Sequence, residues 1–211
     1  MMKLFLASRF NNPLTIKKLD DFLGGIKGKK IAYIPTAANG EEGWEYWKTK
    51  EGGSWQLVNT LGAEVKAVVL EEFGNESVVN ELKGQDVIFF AGGMPGYLMY
   101  WIKRCGLDLH IKELLNDGAL YFGTSAGAMV AGKTLDIASW GFVDSERGAS
   151  DIKPMNLVDF DMFPHYEDEM FDKIKERYQG NKLYLLKDGE EIIVEDSKVT
   201  LIGDERIIKN D

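Results

Sequence analysis

Apolar residues along the chain fall into two kinds of pattern. Short unbroken runs, KLFLAS (3–8), KKIAYIP (29–35), VKAVVL (65–70), DVIFFAGG (86–93) and ALYFGT (119–124), show no regular alternation of apolar and polar positions. A strand covered on one face alternates with period two, so an unbroken run predicts a strand buried on both faces. Between these runs the spacing becomes helical. Ile16, Leu19, Phe22, Leu23 and Ile26 recur at helical intervals after Pro13, which suits a first helical turn, and Gly28 is expected to end the run. Leu57, Val58 and Leu61 form a second stripe, with Gly62 as its expected C-cap. Strands alternating with helices imply right-handed crossovers, hence an α/β fold with a mostly parallel sheet and helices on both faces.

Beyond about residue 180 the rhythm changes. The stretch LYLLKDGEEIIVEDSKVTLIGDERII carries turn signals at Asp188-Gly189, Asp196-Ser197 and Gly203-Asp204 between strand-like segments, which predicts a C-terminal antiparallel β-meander. About 30 residues are too few for a separate core, so the meander is expected to extend the sheet edge. The stretches GEEGW and KEGGSW suggest a mobile loop rich in Trp44, Trp47 and Trp55. With 211 residues and no linker or repeat, one domain covering 1–211 is expected.

Composition narrows the classes of function. With 45% hydrophobic and 28% charged residues, this is an ordinary globular composition. A formal charge of −9 repels phosphate backbones and anionic lipid, and the lysine pairs at 17–18 and 29–30 sit among Asp and Gly. No nucleic-acid or membrane partner is therefore expected. Nowhere do about 18 apolar residues run together, as a membrane helix needs. The first apolar run, broken at Arg9 and the Asn-Asn-Pro turn, is too short for a signal-peptide core. Cys105 is the sole cysteine, so it can form no intramolecular disulfide and no cysteine-based metal site, and a cytoplasmic location is expected.

The chemistry-bearing feature is ALYFGTSAGAMVAG, where Gly123, Ser125 and Gly127 form a G-x-S-x-G array between a strand-like run and small, helix-compatible residues. A serine on a sharp strand-to-helix turn needs glycine on either side so that neighbouring backbones can pass, and the turn lifts its hydroxyl above the sheet edge. The first N–H groups of the following helix face the same space and suit an oxyanion. A second strand ends in FFAGGMPGY, so a backbone N–H of Gly92 or Gly93 could supply the other half of an oxyanion hole.

A serine nucleophile needs a proton acceptor, and the chain has two histidines. His110 shares a helical face with Leu107, Ile111, Leu114 and Leu115, so it reads as a packed residue. His165 follows a strand-like run and Pro164, in a loop position, and is the expected base. Nucleophile before histidine is also the chain order of open-sheet hydrolases. For the orienting carboxylate, Asp188 follows a strand, although Asp-Gly is equally a hairpin signal; Glu190, Asp159, Asp161 and Asp144 remain alternatives. Tyr166 and Glu167, beside His165, are the candidate substrate-binding residues.

In these segments the sequence resembles the dipeptidase E (peptidase E, aspartyl dipeptidase) family of serine peptidases. KKIAYIPTA, FFAGGMPGYLM, YFGTSAGAMVAG and FPHY occur in that family's order. The resemblance implies a class I glutamine amidotransferase-like, flavodoxin-like fold with serine in place of cysteine. It also implies Ser125 as nucleophile, His165 as base, oxyanion donors near Gly92 and Ala126, and Asp188 as the acid. The expected activity is hydrolysis of short peptides through an acyl-enzyme, without metal or cofactor, by a monomer or homodimer. A cyanophycinase-like isopeptide hydrolase, an esterase and a catalytically idle ligand-binding protein are the competing readings. One departure bears on specificity. Aspartyl dipeptidases place an arginine just after the catalytic histidine, whereas here Glu167, Asp168 and Glu169 stand there and the matching position falls near Met170. Lys173, Lys175 and Arg177 read as a solvated helix face, so strict preference for N-terminal Asp is not expected unless Arg147 or Arg177 turns inward.

Overall fold

The computed structural model describes residues 2–75, 77–142, 146 and 148–210. Strand β1 (Lys3–Ala7) leads into helix α1 (Pro13–Leu23), then β2 (Lys30–Ile34), α2 (Thr36–Glu42), α3 (Ser54–Asn59), β3 (Glu64–Ala67) and α4 (Val78–Leu82). There follow β4 (Val87–Phe90), α5 (Pro95–Arg104), α6 (Leu107–Asn116), β5 (Leu120–Thr124) and α7 (Ala126–Met129). The chain closes with β6 (Asp161–Phe163), α8 (Phe171–Arg177), β7 (Lys182–Leu185), β8 (Glu191–Glu195), β9 (Lys198–Ile202) and β10 (Ile207–Lys209).

The main sheet has the order β3-β2-β4-β5-β1-β8-β9, with the first five strands parallel and β8 and β9 antiparallel at one edge. Four of the unbroken apolar runs have the reason expected of them, while the run at 65–70 forms edge strand β3, which is only half-buried. Leu4 and Leu6, Ile88 and Phe90 face a core shared with α5 and α6, while Phe5, Phe89 and Phe122 face a second core shared with α1. Fully burying such a side chain stabilises by about 1.5–3 kcal/mol, so both faces hold the sheet.

Two helix ends and the aromatic loop depart from expectation. Helix α1 begins as expected, with Pro13 in its first turn and the Asn12 side chain accepting the Leu14 N–H at 2.9 Å, but it stops at Leu23, capped by Gly24 in the left-handed conformation. Gly28 lies beyond it, because the first glycine able to adopt that conformation ends the helix. Helix α3 likewise ends at Asn59, short of Gly62. The aromatic loop is anchored: Trp47 is buried, its indole N–H donates to Asn39 Oδ1 at 3.0 Å, and its ring packs with Tyr33 and Trp55. Of its aromatic residues, Trp44 and Tyr46 are largely exposed.

The C-terminal strands do not form one continuous meander. β8 and β9 are the expected hairpin, turning at Asp196-Ser197, but β7 leaves for a second sheet of order β10-β7-β6. Leu183 and Leu185 on one face of β7 and Tyr184 on the other are all buried, so this strand is covered on both faces. Asp188-Gly189 is thus a crossing between sheets rather than a hairpin turn. Strand β6 pairs with β7 in parallel, Phe163 opposite Leu185, so both chains leave that sheet in the same direction.

Candidate active site

Ser125 stands between β5 and α7 with φ 50° and ψ −115°, a conformation that costs a non-glycine residue on the order of 1–3 kcal/mol. The surroundings impose it. Its N–H donates to the Ala7 carbonyl at 3.0 Å, and its carbonyl accepts from Ala128 and Met129. The flanking glycines are required by close approach: a Cβ on Gly127 would lie 2.1 Å from the Phe90 oxygen, and one on Gly123 would lie 2.4 Å from the Gly127 oxygen. The buried Tyr121 hydroxyl donates to that same Gly127 carbonyl at 2.5 Å and so ties the elbow to its strand.

Gly92 and Gly93 follow β4 and line the same cavity as Ser125. A Cβ on Gly93, whose φ is 133°, would strike the Ala37 carbonyl at 2.3 Å, and one on Gly92 would come within 3.2 Å of Ser125 Cβ. Neither position has room for a side chain without displacing a neighbour. Ala126 is buried as the first residue of α7.

His165 and Asp188 reach Ser125 through the β6–β7 pairing. Pro164 and His165 follow β6; Leu186, Lys187 and Asp188 follow β7, and the Leu186 N–H donates to the Phe163 carbonyl at 2.9 Å, continuing the pairing. His165 Nε2 lies 3.0 Å from Ser125 Oγ, and His165 Nδ1 lies 2.7 Å from Asp188 Oδ1. With its Nδ1–H given to the carboxylate, the imidazole leaves Nε2 free to accept the serine hydroxyl proton. The backbone of His165 has a positive φ of 56°, which turns the ring back over the elbow.

Two further residues of this constellation carry no signal in the sequence. Ser8, fully buried at the end of β1, donates through its hydroxyl to Asp188 Oδ1 at 3.0 Å and accepts the His165 N–H at 2.8 Å. Arg9 Nη1 lies 3.1 Å from Asp188 Oδ2. A serine and an arginine after an apolar run look like a strand end, and their partners lie more than 150 residues away.

Among the described residues the carboxylate that meets His165 is Asp188, and the other sequence candidates sit elsewhere or line the cavity wall. Glu190 binds Arg206, the Lys187 N–H and the Asp204 N–H. Asp161 is buried and accepts from Lys133 N, Thr134 N and the Tyr178 hydroxyl, while Asp159 is exposed. Asp144 and Arg147 lie outside the described residues. His110 is half-buried on α6, 3.9 Å from Glu113, and is absent from the cavity wall. Tyr166 is buried in the wall with its ring under Arg206, and burial raises its pKa, whereas Glu167 is exposed at the rim. Met170 lines the cavity. Arg177 turns instead to the Trp140 carbonyl and the Phe142 ring.

The cavity above Ser125 measures about 1110 Å³, large enough for a short peptide. Its walls are strongly acidic, with Glu41, Glu51, Glu167 and Glu169 among them. The lysines lining it are matched, Lys50 with Glu42 and Lys187 with Asp168. Lys187 lowers the Asp168 pKa by hydrogen bonding. Among the described residues no group of His, Cys, Asp or Glu could hold a metal ion, and no helix is long and apolar enough to cross a membrane.

Comparison with known proteins places this geometry in a family. The model of peptidase family S51 matches residues 4–202. An uncharacterized peptidase of Listeria monocytogenes is 30% identical over 207 residues, which cover 94% of this chain and 97% of that protein. Peptidase E of Haemophilus influenzae is 31% identical over 138 residues, 64% of this chain and 60% of its own. The crystal structure of a Listeria monocytogenes protein provisionally assigned as a peptidase E superposes with a TM-score of 0.78 at 28% identity, covering 97% of this chain and all of that one. A peptidase from an acI-B1 actinobacterium has the same fold, with a TM-score of 0.71 at 20% identity over 99% of this chain and 90% of its own. With the family match spanning nearly its whole length, the chain belongs to peptidase family S51 and is a serine peptidase of the dipeptidase E type.

Proposed function

We propose that this peptidase hydrolyses short peptides through an acyl-enzyme on Ser125. The observation that carries the reading is the continuous path from Ser125 Oγ to His165 Nε2 at 3.0 Å and from His165 Nδ1 to Asp188 at 2.7 Å, at the floor of an open cavity. His165 takes the serine proton as Oγ bonds to the scissile carbonyl carbon. It then returns that proton to the leaving amine as the C–N bond breaks. Water, deprotonated by the same imidazole, releases the acyl group and restores the serine. Backbone N–H groups near Gly92, Gly93 and Ala126 are the proposed donors to the oxyanion. Asp188 orients the imidazole and stabilises its charged form.

The glycine-flanked serine on the parallel sheet supports a glutamine amidotransferase-like reading of the fold, with serine in place of cysteine. The lone, buried Cys105, whose pKa is raised by burial, suits a reducing cytoplasm and has no part in the chemistry. For specificity, the acidic rim and Met170 at the cavity wall support little preference for Asp-first peptides and a tolerance for uncharged first residues. The test is a panel of dipeptides assayed beside a simple carboxylic ester, with wild type and Ser125→Ala. Dipeptide hydrolysis lost in the variant supports the reading; an enzyme that cleaves only the ester contradicts it.

A further inference from the structure

Arg9 is the one cation among the described residues that both lines the cavity and touches the Ser125–His165–Asp188 path. Its surroundings hold it ready. Ala7 accepts the Ser125 N–H, the Ser8 N–H donates to Glu190 O at 3.2 Å, and Phe10 is buried against Phe89 and Phe122. The backbone on both sides of Arg9 is therefore fixed, while its side chain is 52% exposed. A guanidinium carries five N–H donors in a planar fork, and a single contact to Asp188 Oδ2 leaves most of them free.

We infer that Arg9 binds the C-terminal carboxylate of the peptide substrate, which makes a free carboxyl end adjacent to the scissile bond the preferred ligand. The inference rests on the proposed direction of the reaction. His165 gives its proton to the leaving amine, so the residue released lies on the His165 side of Ser125. In a dipeptide the terminal carboxylate is two bonds beyond that nitrogen. Arg9 lines the same cavity as Ser125 and contacts Asp188, the partner of His165 on the ring edge remote from the serine. A side-chain carboxylate on the first residue belongs instead to the acyl part, which stays on Ser125 when the amine leaves. The neighbouring acid Asp168 is held by Lys187 at 2.7 Å, which limits its repulsion of an incoming carboxylate.

Binding to a protein without the nucleophile tests this independently of turnover. Affinities of Ala-Leu, its C-terminal amide, Asp-Leu and Asn-Leu are measured by calorimetry on Ser125→Ala, Ser125→Ala/Arg9→Met and Ser125→Ala/Arg9→Lys. The expected result is a preference for Ala-Leu over its amide of at least about 20-fold on Ser125→Ala, as a charge-assisted pair provides. It should fall to within about threefold with Arg9→Met and be partly kept with Arg9→Lys, which retains charge without the fork. The Asp-Leu to Asn-Leu ratio should not move. An acid-to-amide ratio indifferent to Arg9, a change confined to the Asp/Asn ratio, or no binding of either Ala-Leu form overturns the inference. If wild type cleaves none of these peptides while the ratio still follows Arg9, the peptidase reading fails and the carboxylate site stands.

Discussion

The Ser8 hydroxyl donates to Asp188 at 3.0 Å while accepting the His165 N–H at 2.8 Å, so one buried atom holds two members of the constellation in register. It links the end of β1 to the loops after β6 and β7. Ser8→Ala should leave the fold intact, since only one oxygen is lost. It orphans the His165 N–H and one lone pair of Asp188, and turnover should drop about 10-fold, roughly the cost of losing one well-placed orienting bond. Turnover equal to wild type would show that the β6–β7 pairing positions the pair unaided.

The two histidines should separate cleanly. His165→Ala is expected to abolish hydrolysis with modest loss of stability, whereas His110→Ala, half-buried on α6 and outside the cavity, should keep activity and change stability by about 1 kcal/mol. Steady-state rates with a thermal melt for each variant decide it. The reverse pattern would remove His165 from the mechanism.

Much of this centre was legible in the sequence. The G-x-S-x-G array carries its own steric reason, visible in the 2.1 Å approach that a Cβ at Gly127 would make to Phe90 O. With two histidines, one on an apolar helical face, His165 followed by elimination. The C-terminal region was harder to read. Asp-Gly at 188–189 has the local chemistry of a hairpin, and only the tertiary pairing of β7 with β6 converts it into a crossing that delivers Asp188 to His165. Ser8 and Arg9 were invisible for a related reason: their partners are set by strand order, β1 lying between β5 and β8. The tryptophan loop read as mobile from its glycines, but Trp47 and Trp55 find a partner in Tyr33, a core residue of β2.

Asp188→Asn tests the carboxylate. The amide keeps the shape but cannot stabilise the imidazolium, so kcat should fall about 10³- to 10⁴-fold while substrate affinity persists. Single-turnover rates and binding on the same preparation separate the two. An unchanged rate would redirect attention to Asp144.

The acidic cavity and Met170 lead to a specificity prediction. In a dipeptide panel, Asp-first peptides should have no more than about a tenfold advantage in kcat/KM over Ala-first ones. A hundredfold advantage, about 2.7 kcal/mol, would mean that a cation reaches the first side chain after all.

The most direct measurement is labelling with a fluorophosphonate, which reacts with a serine hydroxyl only where a base and oxyanion donors activate it. Intact mass and peptide mapping of wild type, Ser125→Ala and His165→Ala are compared after equal exposure. The account predicts one adduct per chain, mapped to Ser125, absent in Ser125→Ala and slowed by orders of magnitude in His165→Ala. Wild-type protein that stays unlabelled, or an adduct that persists in Ser125→Ala, would contradict it.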